Sequence, residues 1–186
     1  MSENRSAPKR DWRRGWLGPF VVFVLLVLVT LWWLGVFNSP RIIEETGVAH
    51  PYVYQNFQGT YRDMLRVREK LFKRAPLPLQ DQRRITVLEK EVGRGSESQV
   101  TARLGYMVSP GMPAPSGWSS GEWPAQQVVK VTVLANPAIA SWKAYGALSD
   151  WGKARGISLH YPVFELLGPG NHYALWMPLS TALSAS

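Results

Sequence analysis

The segment Gly117-Trp118-Ser119-Ser120-Gly121 matches the G-x-S-x-G motif that carries the nucleophile of many serine hydrolases. Asp150 and His172 follow it in the chain order of that enzyme class. The motif works only at a sharp turn between a strand and a helix, whereas this segment lies in a stretch rich in proline and glycine. We therefore predict no serine-hydrolase activity and interpret the loop as a lid or a partner contact.

Histidine and cysteine would be the next residue types to support chemistry. The chain has 3 histidines, His50, His160 and His172, and 0 cysteines. No two histidines have the short spacings that zinc or iron sites commonly use, and thiolate chemistry and disulfides are excluded. We predict no metal, no cofactor and no enzymatic activity.

The longest apolar segment, residues 16–37, contains no charged side chain. About 22 residues in a helix cover the roughly 30 Å of a bilayer's hydrocarbon core. Trp16, Trp32 and Trp33 lie near its ends, where aromatic rings favour the headgroup level, and Trp32 and Trp33 are also predicted partner contacts. A signal peptide is the alternative, but no small-x-small cleavage site follows the apolar run. We predict a single transmembrane helix in contact with lipid.

The charge distribution predicts the orientation of this helix. Five basic residues precede it: Arg5, Lys9, Arg10, Arg13 and Arg14. By the positive-inside rule the N-terminus lies in the cytoplasm, and the C-terminal domain lies in the periplasm, outside the inner cell membrane. Because topology already explains this cluster, the net charge of +8 does not indicate nucleic-acid binding.

The remaining chain predicts one domain of α+β class. Its apolar periodicity predicts strands at 52–57, 84–92, 100–108, 127–134, 162–167 and 172–179, and helices from Thr60 and from 138 to 155. This order is a β-α-β-β unit repeated once, with two helices on one sheet and a ligand groove between the halves. The predicted boundaries are a basic tail at 1–15, the transmembrane helix at 16–37, a neck at 38–51, the domain at 52–179 and a flexible tail at 180–186.

The basic residues of the first predicted helix form one face: Arg62, Arg66, Lys70, Lys73 and Arg74. They predict either a solvated helix face or a contact with anionic lipid or an acidic partner.

Two groups of residues resemble a known family. They are Tyr54-x4-Gly59-x-Tyr61 before the first helix, and Ala144-Tyr145-x-x-Leu148-x-x-Trp151-x4-Gly156-x5-Pro162-x-x-Glu165 with Met177-Pro178-Leu179 later. The pattern resembles the GyrI-like small-molecule-binding domain, the effector-binding fold of multidrug-responsive transcription regulators, which is distantly similar to SOUL haem-binding proteins. Asn136-Pro137-Ala138 replaces the family's usual Gly-x-Tyr. No helix-turn-helix precedes the domain, so the resemblance does not imply a transcription-factor role.

The resemblance implies that Glu165 is the pocket glutamate that pairs with cationic, aromatic ligands. A carboxylate in an aromatic groove attracts a desolvated cation, and Trp142, Tyr145 and Tyr106 are the candidate aromatic lining. The alternative is that Glu165 is the solvent-facing member of an alternating strand, Val163-Phe164-Glu165-Leu166.

Two functions fit these observations. The first is a non-catalytic accessory subunit of a membrane protein complex, with Trp118 and Trp123 facing outward as partner contacts. The second is a membrane-tethered receptor for a small cationic or amphipathic molecule. Because some GyrI-like proteins are hydrolases, the resemblance leaves a hydrolase as a further, less favoured alternative. The sequence contains no recognisable output domain for a sensor, which favours the subunit.

Overall fold

The computed structural model describes residues 12–93 and 95–179, and the chain divides into two compact units, Met1–Phe37 and Asn38–Ser186. The part of the predicted basic tail before Trp12 and the predicted tail from Ser180 lie outside the described residues.

In the described part of the first unit, residues 12–37, the chain forms one helix, α1, at Trp12–Trp33. Its segment Trp16–Trp33 has a mean hydropathy of 2.2 and contains no buried residue, so its length and composition make it a candidate membrane span near the N-terminus. The helix ends before the predicted boundary at Phe37, because Gly35 adopts a φ of 75°. That left-handed turn lets the Val36 N–H donate to the Leu31 carbonyl oxygen at 3.0 Å.

The second unit is an α+β domain. Its elements are β1 Arg41–Thr46, β2 His50–Thr60, α2 Tyr61–Lys73, β3 Arg84–Val92, β4 Gln99–Met107, β5 Ser119–Trp123, β6 Gln127–Leu134, α3 Pro137–Arg155, β7 Val163–Leu167 and β8 His172–Pro178. The strands form one 8-stranded sheet in the order β1-β6-β8-β7-β3-β4-β2-β5. Every neighbouring pair is antiparallel, and β7 and β3 lie at the centre.

The two edge strands were not predicted. β1 lies inside the predicted neck and pairs with β6, and β5 lies inside the predicted loop and pairs with β2. Both are short and mostly polar, so their sequences carry no alternating apolar signal. Pairing with β6 and β2, and not their own composition, determines the extended conformation of β1 and β5.

Local signals determine where α2 and α3 begin and end. The Asp63 N–H donates to Thr60 Oγ1 at 3.1 Å, and the Ala138 N–H donates to Asn136 Oδ1 at 3.2 Å, so each helix has a side-chain N-cap. α3 ends at Gly156, whose φ of 69° is left-handed. The caps at Thr60 and Gly156 agree with the predicted start of the first helix and the predicted end of the second, whereas the cap at Asn136 was not predicted.

The core has two sides. On the first side Ala140 and Ala144 bring α3 close to the valines of β6, and Met64 of α2 packs against β3 and β4. The opposite side is an aromatic cluster around Phe164, with Tyr52, Trp123 and Trp176. Among the described residues, no helix contributes to that aromatic cluster.

Candidate functional site

Glu165 lies in the middle of the sheet and is buried. It is on β7, opposite Thr86 of β3 and Leu175 of β8, and only 3% of its surface is exposed. The alternative that Glu165 faces solvent is wrong, because residues 163–166 are all buried. One face of β7 lies under the helices and the other lies in the aromatic cluster.

Both oxygens of the Glu165 carboxylate have partners within the chain. Tyr145 Oη of α3 donates to Oε1 at 2.9 Å, and Arg68 Nη1 of α2 lies 3.4 Å from Oε2. Arg68 Nη1 also lies 3.5 Å from Thr86 Oγ1. Because α2 and α3 both contact Glu165, they lie on the same face of the sheet, and the buried charge is balanced by Arg68.

The hydroxyl groups around Glu165 stay protonated. Burial, followed by the negative charge of Glu165, raises the pKa of Tyr145 well above its usual value. The same two causes raise the pKa of Tyr61 and the pKa of Tyr173. These tyrosines therefore keep their hydroxyl protons at neutral pH, and Tyr145 donates a hydrogen bond to Glu165.

A groove of about 890 Å³ lies above this network, between α2 and α3. Its lining residues are Tyr61, Leu65, Arg68, Glu69, Phe72, Lys73, Arg84, Asn136, Pro137, Ala138, Ser141 and Leu167. Arg68 belongs both to the lining and to the Glu165 pair, whereas Glu165 does not line the groove. The side chain that a ligand would meet above the carboxylate is therefore Arg68.

Of the predicted ligand residues, the structure brings together only Glu165 and Tyr145. Trp142 is 76% exposed and is absent from the groove lining. Tyr106 is 1% exposed and packs in a separate cluster, with ring centroids 5.4 Å from Phe72 and 5.7 Å from Trp118. Burial on β4 removes Tyr106 from the site, and Trp142 is two positions from the buried Ala140 and Ala144, on the opposite face of α3.

Arg68 is the functional residue that sequence reasoning missed. It is absent from the predicted basic face of α2, and its side chain is only 18% exposed. A signal was available: Tyr61, Leu65, Arg68 and Phe72 follow one another at three- and four-residue steps. A charged residue in an apolar helical stripe indicates a buried partner elsewhere in the chain.

The predicted partner-contact tryptophans have different environments. Trp123 is 4% exposed, with its ring 5.1 Å from Phe164, so the prediction that it faces outward is wrong. Its position at the end of β5 turns the ring into the aromatic cluster. Trp118 is half-buried against Tyr106, while Trp32 and Trp33 are exposed at the end of α1.

The G-x-S-x-G segment has no catalytic environment. Ser119 begins β5, an edge strand that is followed by β6 and not by a helix. The Asp150 carboxylate lies 3.6 Å from Lys153 Nζ on the surface of α3, and His172 is exposed at the start of β8. Within residues 12–93 and 95–179, no group of three or more histidine, aspartate or glutamate side chains is arranged to hold a metal ion.

The fold of this chain is similar to the folds of solved structures. No protein-family model and no curated protein matches the sequence. An integron cassette protein from the mobile metagenome of Vibrio cholerae superimposes with a TM-score of 0.52 at 13% identity, over 75% of this chain and 95% of that chain. EcmrR in a DNA complex gives a TM-score of 0.50 at 13% identity, over 94% of this chain and 72% of that chain. These likenesses concern the fold alone.

Proposed function

We propose that this protein is a membrane-anchored, non-catalytic binding module that takes a small amphipathic molecule in the groove between α2 and α3. The observation that carries the proposal is the groove itself, whose volume of about 890 Å³ is in the range of ligand sites. Leu65, Phe72 and Leu167 give it apolar walls, and Arg68 and Arg84 give it a few charged positions. Apolar walls with a few polar groups are typical of small-molecule sites.

The strand order supports a duplicated GyrI-like domain as the frame of this groove. The units β2-α2-β3-β4 and β6-α3-β7-β8 have the same element order along the chain. From the centre of the sheet outward, the first unit has the order β3-β4-β2 and the second has the order β7-β8-β6. Two units related in this way bring their helices side by side, with the groove and the Arg68–Glu165 pair at their junction.

The test for binding fills the groove without disturbing the core. Ala138 is exposed and lines the groove, so Ala138→Trp should leave the chain folded and should abolish binding of a naphthalene probe to the full chain in nanodiscs. Gly146→Trp is the matched control, because it is exposed on the same helix and a Cβ there meets nothing within 4 Å. Equal probe binding by both variants would remove the groove from the proposal.

The proposed orientation has the N-terminus in the cytoplasm and the domain in the periplasm. It draws on the basic residues before Trp16 and on the apolar segment of α1. A reporter enzyme fused after Ser186 should be active only outside the cytoplasm. Activity of the reporter in the cytoplasm would show that the orientation is the reverse of the proposed one.

A second candidate is an accessory subunit of a membrane protein complex. The observation that favours it is Trp142, which is 76% exposed on α3, together with the exposed Trp32 and Trp33. Exposed tryptophans often carry interface energy, so Trp142→Ala should release stoichiometric membrane partners after gentle extraction. Mass spectrometry of the wild-type preparation decides between the candidates, since a lone chain with a bound small molecule excludes the subunit.

A further inference from the structure

The charges around the groove favour an anion. Three cationic side chains line it, Arg68, Lys73 and Arg84, against one carboxylate, Glu69. Arg68 is paired with Glu165, and Lys73 Nζ lies 2.6 Å from Glu69 Oε1. Lys73 and Glu69 neutralise each other, and the charge of Arg68 is neutralised by Glu165, which lies below the groove.

Arg84 is the remaining cationic side chain of the groove lining. Its guanidinium lies 5.3 Å from the centroid of the Phe72 ring, which holds it beside an apolar wall. No carboxylate of residues 12–93 and 95–179 forms an ion pair with it. An arginine fixed by an aromatic ring still has its full set of N–H donors for a carboxylate or a phosphate.

The start of α3 adds to the same field. Asn136, Pro137 and Ala138 line the groove, and they form the N-terminus of a helix of 19 residues. Asn136 Oδ1 accepts from the Ala138 N–H, and the first turn of α3 contains no acidic residue that would offset the remaining partial positive charge of the helix N-terminus. Arg84 and the start of α3 are thus two positive features of the groove lining, contributed by two elements.

A cationic ligand fits the groove less well. The two oxygens of Glu165 are bound by Tyr145 and Arg68, and Glu165 does not line the groove. A cation would have to displace Arg68 from a carboxylate that is 3% exposed. The cation would also have to approach the positively charged guanidinium of Arg84.

We infer that the groove takes a small anion with an apolar or aromatic body, with the anionic group at Arg84 and the start of α3 and the body against Leu65, Phe72 and Leu167. The inference rests on the proposed binding function and names its ligand class. A carboxylate, a sulfonate and a phosphate monoester share the required chemistry.

Three probes of one shape and different charge test the inference: 1-naphthylacetate, the neutral 1-naphthylacetamide and 1-naphthylmethylammonium. Their affinities are measured with the full chain in nanodiscs of uncharged lipid, with empty nanodiscs as the blank. The anion should bind about tenfold more tightly than the amide, and the cation should bind most weakly. Equal binding of anion and amide, or tightest binding of the cation, overturns the anion inference and leaves the groove intact.

Substitutions at the adjacent Arg83 and Arg84 test where the anionic group of the ligand binds. Arg84→Gln should weaken binding of 1-naphthylacetate about tenfold and leave 1-naphthylacetamide unchanged. Arg83→Gln is the matched control, because Arg83 is also exposed but does not line this groove. Equal effects of the two substitutions on the anion overturn the inference. Failure of all three probes to bind overturns the proposed function as well.

Discussion

Two adjacent residues of β7, Phe164 and Glu165, are buried on opposite faces of the sheet by different means. Phe164 is surrounded by rings, with centroids 5.0 Å from Trp176, 5.1 Å from Trp123 and 6.1 Å from Tyr52. Glu165 is surrounded by donors that α2 and α3 supply. Apolar burial needs only close packing, whereas a buried charge needs directed partners at defined positions.

This difference predicts different effects of substitutions on the two faces of the sheet. The aromatic cluster excludes water without a helix cover, so it stabilises the sheet from the open side. The face under the helices also has an apolar core, and in addition it holds a charged pair and the groove on which the proposed binding rests. Substitutions on the two faces should therefore change the free energy of unfolding by different amounts and for different physical reasons.

The largest effect is expected at Phe164. Phe164→Ala removes a fully buried ring and should lower the free energy of unfolding by about 3–5 kcal/mol. Urea unfolding of the full chain in detergent measures the change, with the half-buried Phe57→Ala as the milder control. Similar losses at both positions would mean that the aromatic cluster is no better packed than the edge of α2.

The second effect tests the charged pair under the helices. Arg68→Met leaves the Glu165 carboxylate buried without its cation and should cost about 2–4 kcal/mol. The double variant Arg68→Met/Glu165→Gln removes the unpaired charge and should recover part of that loss. Arg66→Met is the control on the same helix, because its ion pair with Asp63 is exposed and its loss should be below about 0.5 kcal/mol. A double variant as unstable as Arg68→Met would show that packing of Arg68, and not its charge, stabilises the site.

A smaller effect is expected at Tyr145. Tyr145→Phe removes the hydrogen bond to Glu165 Oε1 and should cost about 1.5 kcal/mol. Since the pKa of Tyr145 is raised on folding, the unfolded chain loses this proton first, and stability should fall as pH rises above about 10. Unfolding curves from pH 8 to about 11 should show a shallower alkaline loss in Tyr145→Phe. An unchanged alkaline slope would remove Tyr145 as its source.

The smallest effect is expected for the cation on the open face. Lys130 Nζ lies 3.1 Å from Glu45 Oε1 and 5.7 Å from the centroid of the Trp176 ring, in a partly exposed position. Lys130→Met should change the free energy of unfolding by about 0.5 kcal/mol or less. A cost equal to that of Arg68→Met would contradict the distinction between the two faces.

The elements with local signals were predictable from the sequence. The bounds of β3 and β6 agree with the prediction, and the caps Thr60, Asn136 and Gly156 mark the helix ends. Caps and apolar periodicity act between residues a few positions apart, so a single sequence contains them. The candidate membrane span was also predictable from the sequence, since its length and composition define it.

Tertiary structure alone decided the site. The edge strands β1 and β5 exist because β6 and β2 pair with them, and the ring of Trp123 is buried for the same reason. Arg68 and Glu165 meet across 97 positions of sequence, and only the packing of α2 over the sheet joins them. The sequence predicted a carboxylate on a strand that follows the second amphipathic helix, and it left open whether that carboxylate faces a ligand or solvent. The fold determined that this carboxylate is already paired, because the nearest cation is contributed by a helix whose register against β7 no local pattern specifies.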